Sequence, residues 1–301
     1  ELSKSRKVQL EKKIMIFLSS GVFIFSGLYA SNVQAAPVFS SGSASDSTVA
    51  GVNNTASANS TSAVGYGNNA GGVASSAFGF SNVAKVDYAS AFGYSNEASG
   101  LASSAVGFRN KAASENASAV GYGNNANALA ASAVGYNNTA GGVGSSTIGY
   151  NNTATNENAS AFGYGNTAGG LASSAFGFSN TASGDNANAF GYNNIASGSK
   201  SNVFGTGNTV SGSSSNAVGT ANEVAAENST AIGNNNTISS GAENSAALGN
   251  NISISLKDSV ALGNNSTATA INSVTGNSSY TKWAGVSDVV GVVSVGSSGA
   301  T

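Results

Sequence analysis

Ser62-Ala63-Val64-Gly65-Tyr66-Gly67-Asn68-Asn69-Ala70 is one line of a text that this chain repeats. The same words return at Ser90-Ala91-Phe92-Gly93-Tyr94-Ser95-Asn96-Glu97-Ala98 and at Ser160-Ala161-Phe162-Gly163-Tyr164-Gly165-Asn166-Thr167-Ala168. The marker glycine sits at Gly51, Gly65, Gly79, Gly93, Gly107, Gly121, Gly135, Gly149, Gly163, Gly177, Gly191, Gly205, Gly219 and Gly233, a step of 14 each time. Two extra residues around Ser240-Gly241 move the next to Gly249, and the step of 14 resumes at Gly263. A fixed short period is the mark of stacked repeats, each copy burying its apolar side against its neighbours.

The residue before the glycine is Val, Phe, Ile or Leu in every copy after the first, and the residue two before it is nearly always Ala. Large residues alternating with small ones follow the period of a strand. A unit dense in Gly, Ser and Asn is a poor helix former. Three residues after the glycine stands Asn, in each of the fourteen copies from Gly51 to Gly233. Asn tolerates left-handed backbone angles, so the reading places a turn there. Stacked Asn at one coil position would also form a ladder of amides. Five residues after the glycine comes Ala, or Val210, Val224, Ile238 and Ile254, a small inward position that opens a second short run. One repeat is therefore strand, turn, strand, turn. The fold class is all-β, a parallel β-roll (β-solenoid) of about sixteen 14-residue coils.

A 14-residue circuit leaves four or five residues per side, so its interior holds little beyond Ala, Gly and one larger side chain. A thin coil of that kind buries little apolar surface against the chain entropy it fixes. The apolar residues on either side of the glycine share one strand face and cannot all fit inside. Some must face a partner chain, and an oligomer is expected.

Charged residues make up only 8% of the 301, with no Cys, no His, one Pro and 40 Gly. Thiol and imidazole chemistry are excluded by composition. Residues 1–36 have their own character: Lys4, Arg6, Lys7, Lys12 and Lys13, then an apolar run from Ile14 to Leu28, then Val33-Gln34-Ala35-Ala36. That order predicts a secretory signal peptide, and the apolar run is short for a membrane span. Beyond it stand six basic and eleven acidic residues, a net charge of −5, which argues against nucleic acid as a partner. Residues 37–48 read as a polar lead-in, 49–270 as the repeats, and 271–301 as a transition out of them, with a strand-like run at Gly291-Val292-Val293-Ser294-Val295-Gly296-Ser297.

Ser259-Val260-Ala261-Leu262-Gly263, Ser229-Thr230-Ala231-Ile232-Gly233 and the step of 14 resemble the head of a YadA-like trimeric autotransporter adhesin. Val292 to Ser297 resembles the start of the neck that follows such heads, making 271–301 a head-to-neck transition. The resemblance implies a left-handed roll, a homotrimer, export by type V secretion and display on a Gram-negative cell surface. It implies a coiled-coil stalk and a barrel beyond Thr301, so contact with the outer membrane is expected only through that C-terminal anchor. The expected partners are a host matrix protein, glycan or cell-surface receptor, or other bacteria. This chain departs from the family motif in having Ser62, Ser76 and Ser104 where the motif has Val, and in the aromatic after the glycine.

No catalytic set, cofactor or metal site is expected, and the chain does not read as an enzyme. The carboxylates Asp87, Glu97, Glu115, Glu157, Asp185, Glu223 and Glu227 fall near turns on different coils. Calcium-binding Gly-Gly-x-Gly-x-Asp nonapeptides are absent from the sequence. The row Tyr66, Phe80, Tyr94, Phe108, Tyr122, Tyr136, Tyr150, Tyr164, Phe178 and Tyr192 has two readings: a packing ladder, or an exposed adhesive stripe. If both hold, Phe is buried and Tyr keeps its hydroxyl at a wet edge. An adhesin head is the first functional reading. An ice-binding or surface-coat solenoid is the alternative, resting on the Thr run Thr139, Thr153, Thr167 and Thr181.

Overall fold

The computed structural model describes residues 39–270 and 292–295. The expected signal peptide, 1–36, and most of the expected transition, 271–301, lie outside the described residues. All regular structure among the described residues is strand. The chain forms two compact units, Glu1–Tyr122 and Gly123–Thr301.

Every coil is built alike. A five-residue strand such as Ser146–Tyr150 is followed by a turn, a two-residue strand such as Thr153–Ala154, and a second turn. Within each unit the long strands pair in parallel with a register of one repeat. Ser62 lies beside Ser76 and Gly65 beside Gly79 in the first unit. In the second unit Ser146 lies beside Ser160 and Gly149 beside Gly163. Short strands stack likewise, as Thr153–Ala154 does on Thr167–Ala168. Six long strands in the first unit and ten in the second give a parallel β-solenoid of about sixteen coils. The two extra residues near Gly241 fall in a turn, and pairing continues with Thr230 beside Ala246 and Gly233 beside Gly249.

The interior is made of small side chains. The positions two before and five after the glycine, such as Ala161 and Ala168, are fully buried, with Val203, Val210, Val224, Ile238 and Ile254 filling them in later coils. The position four before the glycine is buried Ser, Thr or Ala, as at Ser145 and Ala159. No aromatic ring is buried among the described residues. The narrow circuit admits none, as its length implied.

The turn chemistry differs from the expectation. The left-handed residue comes two after the glycine, not three: Asn151 has φ 54°, Ser179 54° and Gly165 63°. A second left-handed residue ends the other turn, as at Asn158 (φ 56°) and Ala172 (φ 51°). The Asn three after the glycine is drawn inward instead. In this position its amide reaches the coils on either side, as Asn152 does with Asn138 and Gly163.

Both ends of the described stack are covered by strand. Phe39–Ser41, within the stretch read as a polar lead-in, pairs antiparallel with Thr48–Val52. Ser43 then donates its N–H to the Ala56 carbonyl of the short strand, at 3.2 Å. Val293–Val295 pairs in parallel with Val260–Leu262 and occupies the position of one more long strand.

Candidate functional site

The outward surface is the candidate site, because the inside is closed. Three sets of side chains repeat on it. The first two share the outer face of the long strands, where the residues before and after the glycine both point away from the core. The apolar position before the glycine is exposed or half-buried in every coil where it is Val, Phe, Ile or Leu. The aromatic after the glycine is exposed at 39–53% for Tyr66, Tyr94, Tyr122, Tyr136, Tyr150, Tyr164 and Tyr192.

These rings form stacks. In the first unit Tyr66, Phe80, Tyr94, Phe108 and Tyr122 follow one another with centroids 4.8–5.1 Å apart and planes within 11°. In the second unit Tyr136, Tyr150, Tyr164, Phe178 and Tyr192 do so at 4.7–5.2 Å and within 15°. The repeat distance of a parallel sheet, about 4.8 Å, sets this spacing. Phe162, Phe176, Phe190 and Phe204 make a second stack beside it, at 4.7–5.1 Å. Phe and Tyr are placed alike in the first column: Phe80 and Phe178 are as exposed as their Tyr neighbours. The expected burial of Phe fails because the whole column lies outside the coil, where the sheet treats both rings the same way.

The third set lies at the second turn, eight residues after the glycine. Val73, Leu101, Leu129, Val143 and Leu171 are exposed there. Asp87, Glu115, Glu157, Asp185 and Glu227 occupy the same position on other coils. Asp87 accepts the Val73 N–H at 2.8 Å, and Asp185 accepts the Leu171 N–H at 3.0 Å, so these carboxylates also stitch one turn to the next. Glu97 and Glu223 instead open short strands, and Glu97 meets Lys111 of the next coil at 3.7 Å on the surface. Sequence spacing gave the equivalence of Asp87 and Glu115. The sequence also alternates Gly-Gly-Val/Leu turns, as at Gly71-Gly72-Val73 and Gly169-Gly170-Leu171, with the charged ones, and the step of 14 puts their apolar residues in the same column.

The marker glycines Gly65, Gly79, Gly93, Gly107, Gly135, Gly149, Gly163, Gly177, Gly191, Gly205, Gly219 and Gly233 all carry φ between 118° and 126°. They set the geometry rather than touch a ligand. Gly121, with φ 120°, conforms too, and Gly249 (145°) and Gly263 (91°) mark a loosening of the pattern. Thr139, Thr153, Thr167 and Thr181 do form one column on the short strands. The next outward position holds Gly141, Thr155, Gly169 and Ser183, so no second Thr column stands beside the first to make a flat hydroxyl lattice.

A family model described as the YadA head domain repeat (2 copies) matches residues 70–96, 98–124, 140–166, 168–194, 211–236 and 257–274, together half of the chain. The chain belongs to the YadA head family. Each full match spans two coils, which fits the alternation of apolar and acidic residues at the second turn. No curated protein matches the chain.

Proposed function

We propose that this chain is a non-enzymatic adhesin head, displayed as a homotrimer on a bacterial cell surface. It attaches the cell to host matrix proteins, host cells or other bacteria. Membership of the YadA head family points to adhesin-type function. The observation that carries the reading further is the repetition of the same outward side chains at one spacing, coil after coil, within each unit. A surface of that kind offers many weak, near-identical contacts. Their number raises avidity without any single strong site, and three chains multiply it again. The carboxylates stand one to a turn, in a column rather than around a cleft, an arrangement suited to contact and not to acid–base chemistry.

The test is adhesion of cells or beads carrying the full chain to surfaces coated with matrix protein, glycan or host cell membrane. Attachment is expected to be saturable and to fall steeply as the density of chains on the bead is lowered. Attachment no greater than that of bare beads on every surface would remove the reading.

A further inference from the structure

We propose that Tyr88, with Lys85 and Asp87 of the same turn, is a contact site for the pyranose ring of a glycan. This rests on the adhesin reading above and gives it one ligand class and one place.

Tyr88 breaks the pattern of its column. It stands nine residues after Gly79, at the left-handed end of the second turn, with φ 60°. The other coils of the first unit put Ser60, Ala74, Ala102 and Asn116 there, at φ 53–58°. All four are small. A bulky side chain in this region is an outlier, and strain of that kind collects where a ligand is held. The turn itself does not need the ring. The Tyr88 N–H donates to the Val73 carbonyl at 2.8 Å, and Ala102 repeats the bond to the Asp87 carbonyl one coil on, at 3.0 Å. A methyl side chain serves the turn as well.

The ring faces of Tyr88 are open. It is 62% exposed, against 39% for Tyr94 in the aromatic column. Tyr94 lies between Phe80 and Phe108, with centroids at 5.1 and 4.8 Å, so both its faces are covered and it presents an edge. Tyr88 stands outside that column, and its neighbours at the same corner, Ala74 and Ala102, end at Cβ. Stacking another ring requires a free face, and Tyr88 has one where the column has none.

The flanking groups choose the ligand. A sugar lays an apolar C–H face on an aromatic ring and turns its hydroxyls to polar groups at the side. Lys85 and Asp87 are both exposed, one a donor and the other an acceptor. Asp87 is held in place by the Val73 N–H at 2.8 Å. Val73 and Leu101, exposed on the adjoining coils, extend the apolar surface beside it. A cation can also sit over a free ring, but the Lys85 ammonium offsets the attraction that Asp87 would give it. Ring, donor and acceptor together fit an uncharged ring bearing hydroxyls.

Saturation-transfer NMR on the full chain tests this, with methyl glucoside, methyl galactoside, methyl mannoside and N-acetylglucosamine as probes. The expected result is transfer from the protein to the ring protons of at least one probe, with millimolar affinity. Tyr88→Ala should weaken that binding at least about fivefold, the worth of one aromatic contact. Tyr88→Trp should keep it, Lys85→Ala should weaken it, and Tyr94→Ala should leave it unchanged. All four variants are expected to retain the β-sheet circular dichroism of the parent, since these side chains lie outside the core. No transfer to any probe, equal binding by the Tyr88→Ala chain, or binding of tetramethylammonium in place of the sugars overturns the site. If beads of the same chain still attach to coated surfaces, the adhesin reading stands without it. Beads that attach to no surface remove that reading as well.

Discussion

Asn152 donates both its backbone N–H and its side-chain amide to the Oδ1 of Asn138, one coil away, at 2.9 and 3.0 Å. The same amide donates to the carbonyls of Ile148 at 3.1 Å and Gly163 at 2.7 Å. Asn166 then uses the Oδ1 of Asn152 in the same way. The chain of amides runs fully buried and ends where Ile252 replaces the Asn, its N–H still held by Asn236. Replacing Asn152 by Ala removes the acceptor for the Asn166 N–H and a donor for two carbonyls, with no water to substitute. The expected cost is about 2–4 kcal/mol, the sum of several buried groups left unpaired. Coils contact only their neighbours, so the loss is local. Hydrogen exchange should quicken around 138–166 and stay slow at distant coils. Uniform quickening across the chain would show that the ladder is not a nearest-neighbour device.

Gly149→Val tests the marker position. Its φ of 120° is one that side-chain-bearing residues rarely adopt, and a Cβ there would collide with the Gly163 carbonyl of the next coil. Strain and clash act together, and the only relief is separation of two coils. We expect a loss above about 4 kcal/mol, read as a marked fall in melting temperature or failure to fold. A variant that melts like the parent would refute the register.

The opposite change is expected at the second turn. Ala102 and Ala172 hold φ of 53° and 51° in the left-handed region, where Gly144 sits in the equivalent coil position. A residue with a Cβ pays about 1–2 kcal/mol for this conformation. Glycine removes that strain but loses roughly 0.5–1 kcal/mol through its freer unfolded chain. Ala102→Gly and Ala172→Gly should each raise stability by about 0.5–1 kcal/mol. The two lie in separate units, so their effects should add in the melting temperature.

Much of this architecture was legible because the sequence repeats. The step of 14 gave the coil, the alternation around Gly65 put Val64 and Tyr66 on one strand face without showing that both point outward, and the invariant Asn gave the ladder. The turn was misread by one residue. A left-handed position accepts Gly, Asn, Ser, Ala or Arg in this chain, as at Gly165, Asn151, Ser81, Ala221 and Arg109. It therefore leaves a weaker signal than the Asn that follows it, whose identity is fixed by burial. A packing ladder and an exposed stripe were the two readings of the aromatic row, and the rings turn out both stacked and exposed. The sequence places Tyr or Phe at every rung from Tyr66 to Tyr192, but a step of 14 does not tell how each ring is turned. The strand in the lead-in was hidden for a different reason: Phe39-Ser40-Ser41 is too short and polar to show a period.

That short strand carries the last prediction. Phe39–Ser41 covers the outer edge of Thr48–Val52, and Ser43 caps the Ala56 carbonyl through both its N–H and its hydroxyl, at 3.2 Å each. Without them the first coil would present unpaired backbone groups from both its strands. Open edges of parallel sheets recruit other strands, and chains commonly blunt them with a covering segment. Deleting residues 37–46 should leave the coils beyond the first folded, because Thr48 still donates to Thr61 of the next coil at 2.8 Å. It should also add a concentration-dependent association through the exposed end. Light scattering over a dilution series is expected to show masses above those of the parent chain at every concentration, with unchanged circular dichroism per residue. Equal masses for the two chains would mean that the first coil blunts its own edge and that the lead-in strand has no protective role.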